Sequence, residues 1–268
     1  SRMAEVLNRV IEKAFRGSAP AQINVPRDYW TQVIDIELPP IVRFERQGGG
    51  KEAIENAAKL LSKAKFPVIL SGAGVVLGGA IDECKKLAEK LDAPVCNGYQ
   101  HNDSFPGSHP LAVGPLGYNG SKAAMELISK ADVVLALGTR LNPFSTLPGY
   151  GIDYWPKKAT IIQVDMNPDR IGLTKKVSVG ICGDAKQVAQ QILDKLSSDA
   201  GNTGREERKN LIHKTKSAWL QTLSGLDHEE DDPGTVWNKE ARERDKDRMS
   251  PRQAWRAIQD ALPQDAII

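Results

Sequence analysis

The segment SGAGVVLGGA, at residues 71–80, follows the apolar run PVIL and precedes a helical pattern. A strand, a glycine-rich turn and a helix in this order commonly bind a phosphate or a dinucleotide. The dinucleotide pattern needs G-x-G-x-x-G and an acidic residue at the end of the next strand. Gly72 and Gly74 fit this pattern, but Leu77 occupies the third glycine position and the next strand ends at Asn97. The spacing therefore argues against an NAD site.

Two interpretations of the glycines stay open. Gly72 and Gly74 could let the backbone approach a ligand, while amides at the start of the following helix bind an anion. Alternatively, both glycines only form a tight turn between strand and helix. The residues alone favour neither interpretation.

Other candidate ligand-binding residues stand at the ends of apolar strands. Arg140 follows one such strand and Asp165 ends the next. Because ligands bind at the carboxyl ends of parallel strands, Arg140 could meet an anion, and Asp165 could accept a hydrogen bond from a ligand or cap the turn DMNPDR. His101 and His109 bracket a loop at the same edge, and the four histidines lack metal-ligand spacing. With no catalytic triad, nucleophile elbow or carboxylate pair evident, we predict a binding domain without catalytic residues or metal ligands of its own.

Composition limits the function classes. The chain has 268 residues, 40% hydrophobic and 26% charged, with a formal net charge of +2. This near-neutral balance gives no electrostatic case for binding nucleic acid or a membrane surface, and no apolar run is long enough to span a bilayer. The three cysteines form no CxxC pair, which favours a reducing, cytoplasmic setting.

The elements that position the candidate residues alternate regularly from residue 51 onward. Continuous apolar strands separated by amphipathic helices predict a doubly wound, mainly parallel α/β sheet over residues 50–197. Asp184 can cap the last helix of this domain. Strands are predicted at 67–71, 93–97, 132–138, 159–165 and 176–182, with helices near 54–61, 81–91, 122–131 and 185–196.

The flanking segments look incomplete. Residues 1–49 predict a helix, a short strand at 21–26 and a linker, and the charged residues 198–249 predict a connector with a weak helix at 205–223. In residues 250–268 Ser250 caps a helix that is followed by the start of a strand. Such pieces cannot bury their apolar faces alone, so we expect the chain to be a fragment that lacks parts of domains at both ends.

The ordered motifs resemble a known enzyme family. FRGSAPAQINVPRD, FPVILSGAGVVLGGA, HPLAVGPLGYNG, ADVVLALGTRL, IIQVDMNPDRIG and GICGDA are similar to the central domain of thiamine-diphosphate-dependent enzymes of the acetolactate synthase type. SPRQAWRAIQDALPQDAII resembles the start of the diphosphate-binding C-terminal domain of these enzymes, and residues 1–49 resemble the end of their pyrimidine-binding N-terminal domain. HNDSFPGSHPLAVGPLGYNGSKAAMELI and GTRLNPFSTLPGYGIDYWP resemble the sulfoacetaldehyde acetyltransferase subfamily most closely.

The resemblance implies a function for the whole protein. Members of this subfamily convert sulfoacetaldehyde and phosphate to acetyl phosphate and sulfite in sulfonate (taurine) degradation. Their catalytic glutamate lies in the first domain, and the GDG…N segment that holds Mg²⁺ and thiamine diphosphate lies in the last, so this chain alone would be inactive. We expect a cytoplasmic homo-oligomer. An acetolactate synthase-like carboligase and a noncatalytic nucleotide-binding module remain the alternatives.

The resemblance also implies a second cofactor site. Relatives of the acetolactate synthase type often hold FAD in the central domain. Where those relatives follow the arginine with phenylalanine and acids, this chain has Leu141-Asn142-Pro143, so we expect the cleft to be empty or differently filled. The family contacts would fall on Gly72, Gly74, Gly117, Asn119, Gly120, Arg140, Asp165 and Asp184.

Overall fold

A computed structural model describes residues 2–17, 19–38, 40, 45–225, 249, 251–263 and 266. The chain divides into two compact units, Ser1–Lys209 and Asn210–Ile268. No helix within the described ranges is both long enough and apolar enough to cross a membrane.

The described residues form eight α-helices and six strands. The helices are α1 (Met3–Gly17), α2 (Lys51–Lys63), α3 (Ala73–Leu77), α4 (Ile81–Leu91), α5 (Lys122–Ile128), α6 (Ala185–Lys195), α7 (Arg205–Gly225) and α8 (Pro251–Ala261). The strands are β1 (Pro67–Ser71), β2 (Val95–Asn97), β3 (Ala112–Pro115), β4 (Val133–Leu137), β5 (Thr160–Asp165) and β6 (Val179–Cys182).

The strands form one six-stranded sheet in the order β3-β2-β1-β4-β5-β6. Every pair of neighbours is parallel, with Ile69 of β1 opposite Val95 of β2 and Leu135 of β4. All five residues of β1 and of β4 are buried, because helices cover both faces of such a sheet. The predicted doubly wound α/β fold is confirmed.

Two local predictions were wrong. The strand expected at 21–26 is not formed, and no described strand pairs with that segment, which a stable strand requires. β3 was missed because its sequence, AVGP, contains glycine and proline, which are uncommon in strands. The helix predicted at 81–91 is present as α4, whereas the short helix α3 inside the glycine-rich segment was not predicted.

Two predicted helices in the C-terminal flanking segments are confirmed, and the other predictions there are not tested. The weak helix expected at 205–223 is present as α7, and the helix after residue 250 is present as α8. The acidic and mixed-charge runs at 229–232 and 241–248, and the Ser250 cap, lie outside the described residues. So does the terminal strand, apart from Ala266. The domain boundaries themselves stay a prediction.

Candidate functional site: a cleft at the carboxyl edge of the sheet

A cleft of about 320 Å³ opens at the carboxyl edge of the sheet. β1 lies between β2 and β4 in the strand order, so the chain leaves β1 and β4 toward opposite sides and a crevice forms between their loops. The turn after β1, the loop after β4, the end of β5 and the loop at 98–101 line it. Of the predicted site residues, the cleft brings together Gly72, Gly74, Arg140 and Asp165.

The space beside the two glycines of the first turn is filled by the protein itself. A Cβ atom added to Gly72 would lie 2.6 Å from the Thr139 Cβ and 2.8 Å from the Gly138 carbonyl oxygen. One added to Gly74 would lie 2.7 Å from the Gly138 Cα. Gly138 itself has a φ of +61°, which favours glycine. The glycines are therefore required by the close approach of the turn after β1 to the turn after β4.

The amides of this turn are also engaged. The Gly74 amide donates to the Gly138 carbonyl at 2.8 Å, and the Val75 amide donates to the Gly72 carbonyl at 3.0 Å. α3 has only five residues, so its aligned peptide dipoles are few. Of the two interpretations left open by the sequence, the tight turn is the one that the geometry favours.

Arg140 stands on an unusual stretch of backbone. It is exposed and lines the cleft, and Leu141 behind it is fully buried with a φ of +54°. A left-handed conformation is unfavourable for a leucine and persists only where the surroundings hold it. The Thr174 hydroxyl donates to the Leu141 carbonyl at 2.7 Å, and the Leu141 amide donates to the Thr139 hydroxyl at 3.2 Å. The loop therefore holds Arg140 at the mouth of the cleft.

Asp165 ends β5 and lines the cleft with only 8% of its surface exposed. Its Oδ1 atom accepts a hydrogen bond of 2.8 Å from the Asn167 amide, which is the turn-capping role that the sequence offered as one alternative. Contact with a ligand through the other carboxylate oxygen stays a prediction.

Asp184 does not itself line the cleft, although its chain neighbours Gly183 and Ala185 do, and its carboxylate has structural partners. Oδ1 accepts hydrogen bonds from the Lys186 and Gln187 amides, at 3.1 and 3.2 Å, and so caps α6 as predicted. Oδ2 pairs with Arg46 at 2.9 Å. The side chain is only 2% exposed, so its type is explained without a cofactor.

Gly117 and Asn119 lie in the loop after β3, also outside the cleft lining. Gly117 has a φ of +90°, and a Cβ there would lie 2.1 Å from the Phe144 carbonyl oxygen. Asn119 has a φ of +57° and is exposed, a conformation that asparagine tolerates better than most residues. Both residue types fit a tight loop packed on the segment that follows β4, and cofactor contact by them stays a prediction.

The cleft contains two arginines that the sequence reasoning missed. Arg170 lines it from the turn after β5, where the rule that ligands bind at strand ends could have found it. Arg46 lines it from the predicted linker. Its position depends on pairing with Asp184, 138 residues away along the chain, so no local signal could have indicated it.

The histidine and cysteine side chains near the sheet have different surroundings, and the expected lack of catalytic residues stays a prediction. His101 lines it, but His109 packs edge-on against Phe105 and lies 3.2 Å from a Glu89 carboxylate oxygen. Burial raises the pKa of the Cys84 thiol to about 12 and raises the pKa of Cys96 as well, which leaves both unreactive at neutral pH. Across the described part of the chain, no group of three or more His, Cys, Asp or Glu residues could hold a metal ion.

Comparison with known proteins identifies the family of this domain. Residues 54–192, which contain the whole parallel sheet, match the family described as the central domain of thiamine pyrophosphate enzymes. The chain belongs to this family. Membership agrees with the resemblance inferred from the motifs, and thiamine diphosphate is the cofactor of the family.

Two similar relatives carry the same enzyme name. The chain is 78% identical over 268 residues to a probable sulfoacetaldehyde acetyltransferase of Rhizobium meliloti, matching 100% of the chain and 45% of that protein. It is 75% identical to a sulfoacetaldehyde acetyltransferase of Roseovarius nubinhibens, matching 100% of the chain and 44% of that protein. The chain thus spans a little under half the length of these relatives.

A second group of relatives is more distant. The chain is 35% identical over 214 residues to a probable acetolactate synthase large subunit of Methanocaldococcus jannaschii, matching 77% of the chain and 34% of that protein. The similarity to this acetolactate synthase subunit therefore covers less of the chain than the similarity to the two acetyltransferases, at less than half their identity.

Proposed function

We propose that the whole protein is a thiamine-diphosphate-dependent acyltransferase that converts sulfoacetaldehyde and phosphate to acetyl phosphate and sulfite in sulfonate (taurine) degradation. The observation that carries this proposal is the identity of 75–78% to sulfoacetaldehyde acetyltransferases over the entire chain. Identity to an acetolactate synthase large subunit is 35% over 77% of the chain. That difference favours the acetyltransferase over a carboligase that condenses pyruvate.

The part of this chain in that function is structural. Thiamine diphosphate supplies the carbanion chemistry in such enzymes, while the protein supplies positioning. The described residues do not fit the metal-diphosphate group, because they offer no cluster of three or more acidic or histidine ligands. We therefore assign Mg²⁺, thiamine diphosphate and the catalytic residues to parts of the whole protein other than these residues.

FAD is a poor fit to the cleft. Ligand pockets usually measure about 300–1,000 Å³, and this cleft, at about 320 Å³, lies at the lower end of that range. The space beside Gly72 and Gly74 is filled by neighbouring backbone and Thr139. A cleft without flavin is the proposal that these observations support.

The setting proposed for the enzyme is the cytoplasm, and the proposed assembly is a homo-oligomer with neither nucleic acid nor membrane as a partner. Cys84, Cys96 and Cys182 are all free thiols, which supports a reducing compartment. The net charge of +2 supports the exclusion of polyanionic partners.

Assay of the whole protein with sulfoacetaldehyde, phosphate, thiamine diphosphate and Mg²⁺ tests the proposal. We expect equimolar release of sulfite and acetyl phosphate, and loss of both products when thiamine diphosphate is left out. A parallel assay with pyruvate provides the control for carboligase activity. Condensation of pyruvate without sulfite release from sulfoacetaldehyde would move the protein to the acetolactate synthases, and saturable nucleotide binding with neither activity would favour the noncatalytic module.

A further inference from the structure

The cleft carries an excess of positive charge. Three arginines line it, Arg46, Arg140 and Arg170, and among the described residues Asp165 is the one acidic residue in the lining. Arg46 is neutralised by Asp184, which lies 2.9 Å away and is itself buried. Arg140 and Arg170 make no side-chain hydrogen bond or ion pair with any residue that the structure describes. Two unpaired cations therefore face one acid, and that acid is already engaged with the Asn167 amide.

A buried glutamine holds the backbones of these two arginines together. The Gln163 side chain is 1% exposed, and its Nε2 atom donates to the Thr139 carbonyl and to the Arg170 carbonyl, at 3.1 Å each. Its Oε1 atom accepts from the Gly172 amide at 2.9 Å. Because a buried amide is costly to leave unsatisfied, this arrangement strongly fixes the spacing of the two loops. The loop after β4 and the turn after β5 thus present Arg140 and Arg170 to the same cleft.

The same cleft lacks the features that a nucleotide would need. The glycine space of the first turn is filled by the Gly138 backbone, and the Gly74 amide donates to Gly138. β2 ends at Asn97, so no acid is available there for a ribose hydroxyl. What remains is a small volume of about 320 Å³ and two guanidiniums, which bind tetrahedral oxyanions with paired hydrogen bonds.

We propose that Arg140 and Arg170 form a binding site for a free, doubly charged oxyanion of phosphate size, positioned by Gln163 at the carboxyl edge of the sheet. This site goes beyond the acyltransferase function and does not depend on it. A dianion such as phosphate or sulfate matches the two unpaired cations better than a monoanion such as methanesulfonate does. A nucleotide is disfavoured by the filled glycine turn.

Isothermal titration calorimetry of the 268-residue chain tests the site with inorganic phosphate, sulfate, methanesulfonate and ADP as separate probes. We expect phosphate and sulfate to bind with a dissociation constant on the order of 1 mM, because exposed ion pairs are individually weak. Methanesulfonate should bind at least about tenfold more weakly. Arg140→Met and Arg170→Met should each weaken phosphate binding by about tenfold or more, the loss typical of one charge-assisted hydrogen bond.

Two further variants separate positioning from general damage. Arg9→Met makes the same chemical change at an exposed arginine of α1 outside the cleft, and it should bind phosphate like the unaltered chain. Gln163→Leu removes the link between the two loops and should weaken phosphate binding, while Arg170→Lys keeps the charge and should lose less than Arg170→Met. Circular dichroism of each variant confirms that it is folded.

Three results would overturn the proposal. The first is the absence of saturable phosphate binding up to about 20 mM, a range that covers even weak millimolar sites. The second is equal phosphate affinity in the folded Arg140→Met and Arg170→Met variants and in Arg9→Met. The third is ADP binding more than about tenfold tighter than phosphate, which would make the cleft a nucleotide site.

Discussion

Replacing Arg208 with methionine should strongly destabilise the larger unit. Arg208 lies in the first turn of α7, and only 1% of its surface is exposed. Its guanidinium donates to the carbonyls of Leu91 and Asp92 at 2.9 Å each. These carbonyls belong to the C-terminal end of α4, where helix carbonyls lack partners and attract a cation. Further bonds reach the carbonyls of Lys65 at 2.5 Å, Gly201 at 2.6 Å and Thr203 at 2.9 Å.

The loss in the free energy of unfolding follows from the hydrogen bonds to Arg208 that water cannot replace. The bonds to Leu91 and Gly201 are buried, whereas the other three are only partly buried. Each buried acceptor left without a donor costs about 1–3 kcal/mol, so the two buried carbonyls together imply a loss of about 4 kcal/mol. Methionine keeps much of the aliphatic volume, which limits the loss from packing. The carbonyls left partly buried recover hydrogen bonds to solvent and add little.

Urea unfolding followed by circular dichroism measures this free energy of unfolding directly. The thermal midpoint should fall by roughly 8–16 °C, at about 2–4 °C for each kcal/mol in a domain of this size. Lys209→Met is the matched control, because Lys209 is the next residue and its one ion-pair partner among the described residues is an exposed Glu206 at 3.8 Å. It should change the free energy of unfolding by less than about 0.5 kcal/mol. Equal, small losses in Arg208→Met and Lys209→Met would refute the argument from buried carbonyls.

Four further predictions test other parts of the fold. Gly74→Ala should lower the free energy of unfolding in urea by about 2–4 kcal/mol, because the added Cβ would lie 2.7 Å from the backbone of the turn after β4. Gly107→Ala, where the added Cβ meets open space, should lower it little. The exposed Cys182 should react with Ellman's reagent in the native chain while the buried Cys84 reacts only after unfolding, and equal rates in the native chain would contradict this difference in exposure. Burial raises the Cys84 pKa from 9.0 to about 12, so its contribution to stability should be complete below pH 9 and decline above it as the unfolded chain loses the proton. Asp184→Ala should cost about 1–2 kcal/mol through loss of the α6 cap, and Asp184→Asn should cost less, because asparagine still caps; equal losses would place the effect in the ion pair instead.

The strands that could be predicted from the sequence are those whose apolar residue types indicate burial. β4 is a continuous apolar run, and β1 and β5 are mostly apolar and buried in the sheet, so their pattern indicates a parallel sheet covered on both faces. β3 could not be found in this way, because Gly114 and Pro115 weaken its strand pattern and its pairing with β2 depends on the sheet around it. Its position is a property of tertiary structure.

Functional and structural arginines likewise differ in whether the local sequence reveals their position. Arg140 and Asp165 were found because Arg140 follows β4 and Asp165 ends β5, and all carboxyl ends of a parallel sheet share one edge. Arg208 was placed in a charged connector, since nothing local shows that carbonyls from α4 and from residue 65 surround it. Arg46 depends in the same way on Asp184, far along the chain. Long-range pairing decides both positions, and a single sequence does not reveal it.

The sheet has the crevice in which related folds bind a dinucleotide. The glycines that would approach the dinucleotide contact another turn of the protein, and the acid that would bind its ribose is absent. Gly72 and Gly74 accommodate the neighbouring turn, and β2 ends without an acid. Recognition in the cleft therefore rests on the charges of Arg140 and Arg170 more than on shape. Exposed charges are screened by salt, and the Debye length falls from about 20 Å to about 7 Å as ionic strength rises from about 0.02 M to about 0.2 M. Phosphate affinity measured by calorimetry over that range should fall several-fold, with chloride as the added anion. A constant affinity would show that an enclosed, shape-selected pocket holds the ligand, and would contradict an open site built from two guanidiniums.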